Sequence, residues 1–273
     1  MIRASMCVAL TFVLSLAAAT AVSAQDPAQE DDGVLKLAEP DFTLIGLPTS
    51  LRVPHFKSAF RVTHRFARPL GEGDFGDLAD DLFGLDGGAL IGLEYRFGIA
   101  PNAQIGIHRT SSDKTIALFG QYGLVRQGQA PFELAALVSI EGIRNFRDER
   151  SPALGVVLTR LLGEQGAIHI EPMWVGNTNI IGSTGDDSTF TIGLGARIRI
   201  SPTVYLVGEV APRVSGFKPG VTHGGFSIEK RAGGHLFQLN VSNSWATTMG
   251  QIARGGFTSD DWFLGFNISR KFF

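Results

Sequence analysis

From residue 58 to the last residue, 273, apolar and polar side chains take turns along the chain, and that alternation permits one kind of backbone. In 88–98, Ala89, Ile91, Leu93, Tyr95 and Phe97 share one face, opposite Leu90, Gly92, Glu94, Arg96 and Gly98. In 189–201, Phe190, Ile192, Leu194, Ala196, Ile198 and Ile200 oppose Thr191, Gly193, Gly195, Arg197 and Arg199. A helix would throw residues two apart onto opposite sides, whereas a strand keeps them together. About twelve strands are predicted: 58–66, 88–98, 103–110, 114–126, 131–143, 151–163, 166–176, 189–201, 203–212, 224–232, 234–243 and 262–273. The weakest is 151–163, where Val156 and Leu158 share a face with Arg160, and Val157 and Leu161 share the other with Thr159.

The apolar faces need an apolar solvent. The chain is 44% hydrophobic and only 18% charged. Yet nothing after residue 24 resembles the roughly 20 apolar residues of a spanning helix. Without helices, backbone groups are satisfied in hydrocarbon only by a closed barrel. The expected fold is therefore all-β, a single antiparallel transmembrane β-barrel of about twelve strands. The connections agree. Tight turns at Pro101-Asn102, Gly163-Glu164-Gln165-Gly166, Ser201-Pro202 and Gly233-Gly234 alternate with longer polar segments at 67–87, 144–150, 177–188, 213–223 and 244–261, the short 111–113 being the exception. Bacterial outer-membrane barrels have short periplasmic turns and longer external loops, and an even strand count puts both ends in the periplasm.

Three segments are expected. Residues 1–24 have the make-up of a cleaved signal peptide: Arg3, an apolar stretch from Val8 to Ala19, and small residues Val22-Ser23-Ala24. Cleavage there removes Cys7, the sole cysteine, and with it disulfide and thiol chemistry. Residues 25–57 start acidic and carry Pro40, Pro48 and Pro54, which suggests an extended periplasmic segment, either free or ordered against the barrel. Residues 58–273 form the barrel, surrounded by outer-membrane lipids. With 24 basic against 26 acidic residues, the chain has no electrostatic footprint for nucleic acid.

Several short motifs lie between His64 and Gln127: His64-Arg65-Phe66, Phe83-Gly84-Leu85-Asp86, His108-Arg109-Thr110 with Lys114-Thr115, and Tyr122-Gly123-Leu124-Val125-Arg126-Gln127. In these the chain resembles an uncharacterised family of bacterial outer-membrane β-barrels, a domain of unknown function. The resemblance implies an outer-membrane barrel and carries over no catalytic residue. The closing strand, ending on Phe273, resembles the signal read by the barrel assembly machinery, although Phe272 and not Phe273 is in register with the apolar face. Arg270 departs from the pattern by falling on the apolar face, where a cation near the interface costs only about 0–1 kcal/mol.

If the apolar set faces lipid, the other set lines the lumen: Arg61, Arg65, Glu94, Arg96, His108, Gln121, Glu133, Glu141, His169, Glu171, Arg197, Arg199 and Glu229, with Gln238 and Asn240. Such side chains either rigidify the interior as paired ladders or select solutes in a pore. Eight strands are filled by their own side chains and 16–18 leave a channel. Twelve should give a narrow or partly plugged lumen, and the expected role is a passive channel for small solutes or a structural barrel without conductance.

In 67–87, Phe75, Leu78, Leu82 and Phe83 fall at helical spacing opposite Asp77, Asp80 and Asp81. That helix either caps the mouth, folds inward, or lies on the rim. An outer-membrane hydrolase is the rival class, through Asp186-Asp187, Asp260-Asp261, or Ser242, Ser244 and His235. No signature surrounds these residues, so the expectation is a protein without enzymatic activity, metal or cofactor.

Overall fold

The computed structural model describes residues 35–180 and 182–273. The signal peptide expected over 1–24 lies outside them. Twelve antiparallel strands close into one barrel, as the alternation required. They are β1 (Ser58–Pro69), β2 (Ala89–Ala100), β3 (Ala103–Thr110), β4 (Ile116–Val125), β5 (Glu133–Gly142), β6 (Asp148–Leu161), β7 (Gly166–Gly176), β8 (Ser188–Ser201), β9 (Val204–Ala211), β11 (His223–Ala232), β12 (His235–Ser242) and β13 (Phe263–Phe272). A short β10 (Arg213–Gly216), within the connection expected as a loop over 213–223, continues β9 beyond Pro212 and pairs with β8. Each strand of the cylinder pairs with its neighbours in chain order, and β1 meets β13 to close it.

The faces sort as expected. Leu93 is 48% exposed, whereas Glu94 beside it is 4% exposed, because one looks outward and the other into the cylinder. Leu118, Leu154, Ile170, Leu206 and Leu239 are likewise exposed on the outer wall. On β6 the ambiguity resolves with Val157, Thr159 and Leu161 inside and Arg160 outside, bonded to the Pro131 carbonyl. Arg270 also stays outside, against His235 at 3.1 Å and over the Phe272 ring.

Of the stretch expected as a periplasmic segment over 25–57, residues 25–34 lie outside the described residues, and much of the remainder is inside the barrel. From residue 38 to 51 its side chains are buried inside the cylinder. It enters at the end bearing the short turns, where Phe56 N donates to Gly98 O at 2.8 Å. It then folds into a hairpin, with Thr49 N donating to Phe42 O at 2.9 Å and Leu44 N to Leu47 O at 2.8 Å. We refer to residues 35–53 as the plug. A lumen twelve strands wide exceeds what wall side chains alone can fill, and this segment fills it.

Two short helices occupy loops at the opposite end. Helix α1 (Phe75–Asp80) has a capping box between Asp74 and Asp77 and no buried residue. It lies on the rim, with Arg68 pairing with Asp81 at 2.9 Å. Helix α2 (Met249–Arg254), N-capped by Thr248, turns inward and buries Gly250, Ile252 and Ala253. The loop expected to be merely external over 244–261 therefore enters the barrel.

Candidate functional site

The site is the occluded lumen. The two-residue strand period turns every second side chain to the inner face, where many are charged or amide, and the plug supplies main-chain partners to several of them. Glu209, on β9, accepts from Ile45 N at 2.9 Å, Gly46 N at 2.9 Å and Leu47 N at 3.1 Å. Carbonyls of the same turn accept from the wall: Thr43 O from Arg197 at 2.6 Å, Leu44 O from Gln238 at 3.0 Å, and Ile45 O from Asn267 at 3.2 Å and from Arg61. Lower down, Thr49 O accepts from Gln121 at 2.7 Å, and Val53 N donates to Gln104 at 2.8 Å. Asp41 takes Ser269 at 2.7 Å and Lys271 at 3.2 Å, while Glu133 takes Ser50 at 2.8 Å and Lys36. Hydrogen bonds to charged groups contribute about 1.5–3 kcal/mol each in buried settings.

The wall is also paired with itself. Arg197 grips Glu229 through Nε at 2.8 Å and Nη2 at 3.1 Å. Arg96 meets Glu94 at 2.5 Å, with Arg61 at 3.9 Å and His108 at 3.5 Å from the same carboxylate. Glu141 receives Arg254 at 3.0 Å and Gly250 N at 3.2 Å, which ties α2 to β5. His169 lies 3.4 Å from Glu39 of the plug. Glu171 is buried on β7, and its carboxylate has no hydrogen-bond partner among the described residues. The same holds for Arg65 Nε and Nη2, although Arg65 Nη1 reaches Asn267 at 2.8 Å.

Of the wall residues expected from sequence, Arg61, Arg65, Glu94, Arg96, His108, Gln121, Glu133, Glu141, His169, Glu171, Arg197 and Glu229 are buried in the interior. Arg199 is only half-buried and reaches Glu164 in a short turn at 3.6 Å. Gln238 and Asn240 are inside and bonded to each other at 3.3 Å. Glu209, Gln104, Asn267 and Lys271, outside the set expected from sequence, are buried in the interior as well. All four sit on the inward parity of their strands, so alternation alone would have found them. The hydrolase candidates do not assemble. Asp186, Asp187 and Asp260 are exposed in loops, and His235 faces outward beside Arg270, remote from Ser242. Ser244 instead bonds His223 at 2.8 Å.

Apolar packing completes the closure. Leu44, Ile45 and Leu47 of the plug form one buried cluster with Met173 and Val207 of the wall and Ala246 and Ile252 of the inward loop. A bare inner surface on β8 admits them: a Cβ on Gly195 would stand 2.1 Å from Leu44 Cδ1. Beside the plug, a cavity of about 50 Å³ is bordered by Thr43, Glu94, Arg96, His108, Gln121 and Thr248. It has room for a few waters and no larger solute. Gly195→Val should crowd the plug tip at an overpacking cost of about 1–3 kcal/mol. Hydrogen exchange at the Ile45, Gly46 and Leu47 amides should then quicken about tenfold, and unchanged protection would show that the tip does not depend on this surface.

Residues 43–272 match the family model described as Membrane bound beta barrel domain (DUF5777). No curated protein matches the sequence. Among solved structures the chain is similar to the NanC porin, with a TM-score of 0.50 at 7% identity over 80% of this chain and 99% of that one. The KdgM porin gives 0.48 at 7% identity, covering 80% and 99%. The Acinetobacter baumannii outer membrane protein Omp33 gives 0.48 at 10% identity, covering 81% and 100%. At such identities the likeness is one of fold. With its closed cylinder, lipid-facing outer wall and family match over most of its length, the chain belongs to the membrane bound beta barrel domain family and resides in the bacterial outer membrane.

Proposed function

We propose that the protein is a gated channel for small polar solutes, held shut by residues 35–53. The observation that supports this most is the nature of the filling. The lumen is occupied by a separate stretch of chain joined to β1 at one end, and the wall holds it largely through main-chain groups. A barrel so filled can be emptied without dismantling its strands. Emptied, it would present both charge signs to a solute, which fits a polar cargo and leaves specificity unassigned. The strand ending on Phe273 is, in the same reading, the element handed to the assembly machinery.

Planar-bilayer recording tests the channel. The full chain should conduct rarely, and a barrel with residues 35–53 excised, or full-length chain carrying Gly195→Val, should show frequent stepwise openings. Silence from both folded variants across a range of salts and voltages would end this reading. The second reading, a non-conducting scaffold, draws on the smallness of the cavity beside the plug, about 50 Å³, and would then take its place.

A further inference from the structure

Glu209 belongs to two networks at once. Its oxygens accept the three plug-tip amides, and Oε1 also accepts from His223 Nε2 at 3.1 Å. A carboxylate only accepts, so the proton of a neutral His223 sits on Nε2, and Nδ1 is left to accept from Ser244 Oγ at 2.8 Å. Ser244 opens the inward loop 243–262, and its hydroxyl also accepts from Ala246 N at 3.3 Å. Glu209, His223 and Ser244 are all buried. An unbroken polar chain thus runs from the plug, which enters from the short-turn end, to a loop that belongs to the other end. A second contact runs in parallel: a Cβ on Gly46 would lie 3.1 Å from Ile252 Cδ1 and 3.5 Å from Ala246 O. Serine, histidine and glutamate are also the ingredients of a hydrolytic triad. Here, however, the carboxylate is committed to backbone amides, and the cavity is bordered by Thr247 and Thr248, not by Ser244.

We propose that the inward loop 243–262 is the outer latch of the plug, holding the hairpin 42–49 in place through Glu209–His223–Ser244 and through Ala246 and Ile252. Displacing the loop from the long-loop side then loosens a plug inserted from the other side. The inference rests on the gated-channel reading and adds to it the direction from which the gate is released.

Thr43→Cys provides a reporter. Thr43 is buried beside the cavity, and its hydroxyl has no hydrogen-bond partner among the described residues, so the exchange breaks no side-chain bond. The sole native cysteine, Cys7, is replaced by serine. The full-length barrel is reconstituted in phospholipid vesicles, its folded state checked by heat-dependent gel mobility. The rate of reaction with a small water-soluble methanethiosulfonate is then measured. Adding Ser244→Ala or Ile252→Ala should each raise that rate about tenfold, as expected for loss of one buried contact. Glu209→Ala, which touches the plug directly, calibrates the response. If Ser244→Ala and Ile252→Ala stay within about twofold of the reporter while Glu209→Ala labels quickly, the latch is overturned and the plugged channel stands. If Glu209→Ala is equally slow, the latch is overturned too, and silence of full-length Glu209→Ala in planar bilayers would remove the gated channel with it.

Discussion

Glu209→Ala should populate the open plug about 10²–10³ times more than the parent barrel does. Three main-chain donors, Ile45 N, Gly46 N and Leu47 N, converge on this one carboxylate. Each hydrogen bond to a charged acceptor contributes about 1.5–3 kcal/mol. The three are not additive, because a released hairpin recovers water as a partner, and His223 loses its acceptor in either state. A net change of about 3–4 kcal/mol remains, which corresponds to the stated shift in population. Glu209→Gln should do less: its amide keeps one acceptor oxygen but points an NH2 at donors already aimed inward. Thiol labelling at Thr43→Cys and the open probability in bilayers both measure the change. A rise below threefold for Glu209→Ala would mean that apolar packing, and not this anchor, closes the barrel.

The second large effect concerns the wall. Arg197→Met should destabilise the barrel by about 3–5 kcal/mol, because it leaves the Glu229 carboxylate buried without its cation. Gln238, at 2.7 Å from Glu229, offers only a neutral donor in compensation. The plug also loses the bond to Thr43 O. Pairing the change with Glu229→Leu removes the orphaned charge, and the double variant should recover most of the loss. Denaturant titrations of the folded barrel in phospholipid, run as a double-mutant cycle, give the coupling directly. A coupling below about 0.5 kcal/mol would show that water inside the lumen solvates Glu229 well enough to make the pair dispensable.

The strands were legible because two neighbouring solvents of opposite character imprint a two-residue period. The boundaries of 103–110 and 166–176 agree with the chain trace, and the inward parity of Arg61, Glu94, His169 and Arg197 follows from the same period. Helix α1 was legible as a helix from Phe75 and Leu78 against Asp77 and Asp80, but its seat on the rim was not. Amphipathicity names a face without naming what covers it. The plug left no trace of its destination. Its decisive groups are the amides of Ile45, Gly46 and Leu47 and the carbonyls of Thr43 and Leu44, which any residues other than proline would supply. Glu209 differs again: the parity of Tyr205 and Val207 assigns it to the interior, but its importance depends on that hidden partner.

The hairpin has one further consequence. Its turn is bound by Arg61 of the first strand and by Asn267 of the last, and Asp41 is bound by Ser269 and Lys271 of that same last strand. These are the two strands whose edges must find each other before the cylinder exists. The insert therefore straddles the seam, stapling from within the one junction that chain connectivity does not enforce. Sealing the wall and seating its occupant are in this respect a single act of assembly, and an empty barrel must close on the ladder between those edges alone.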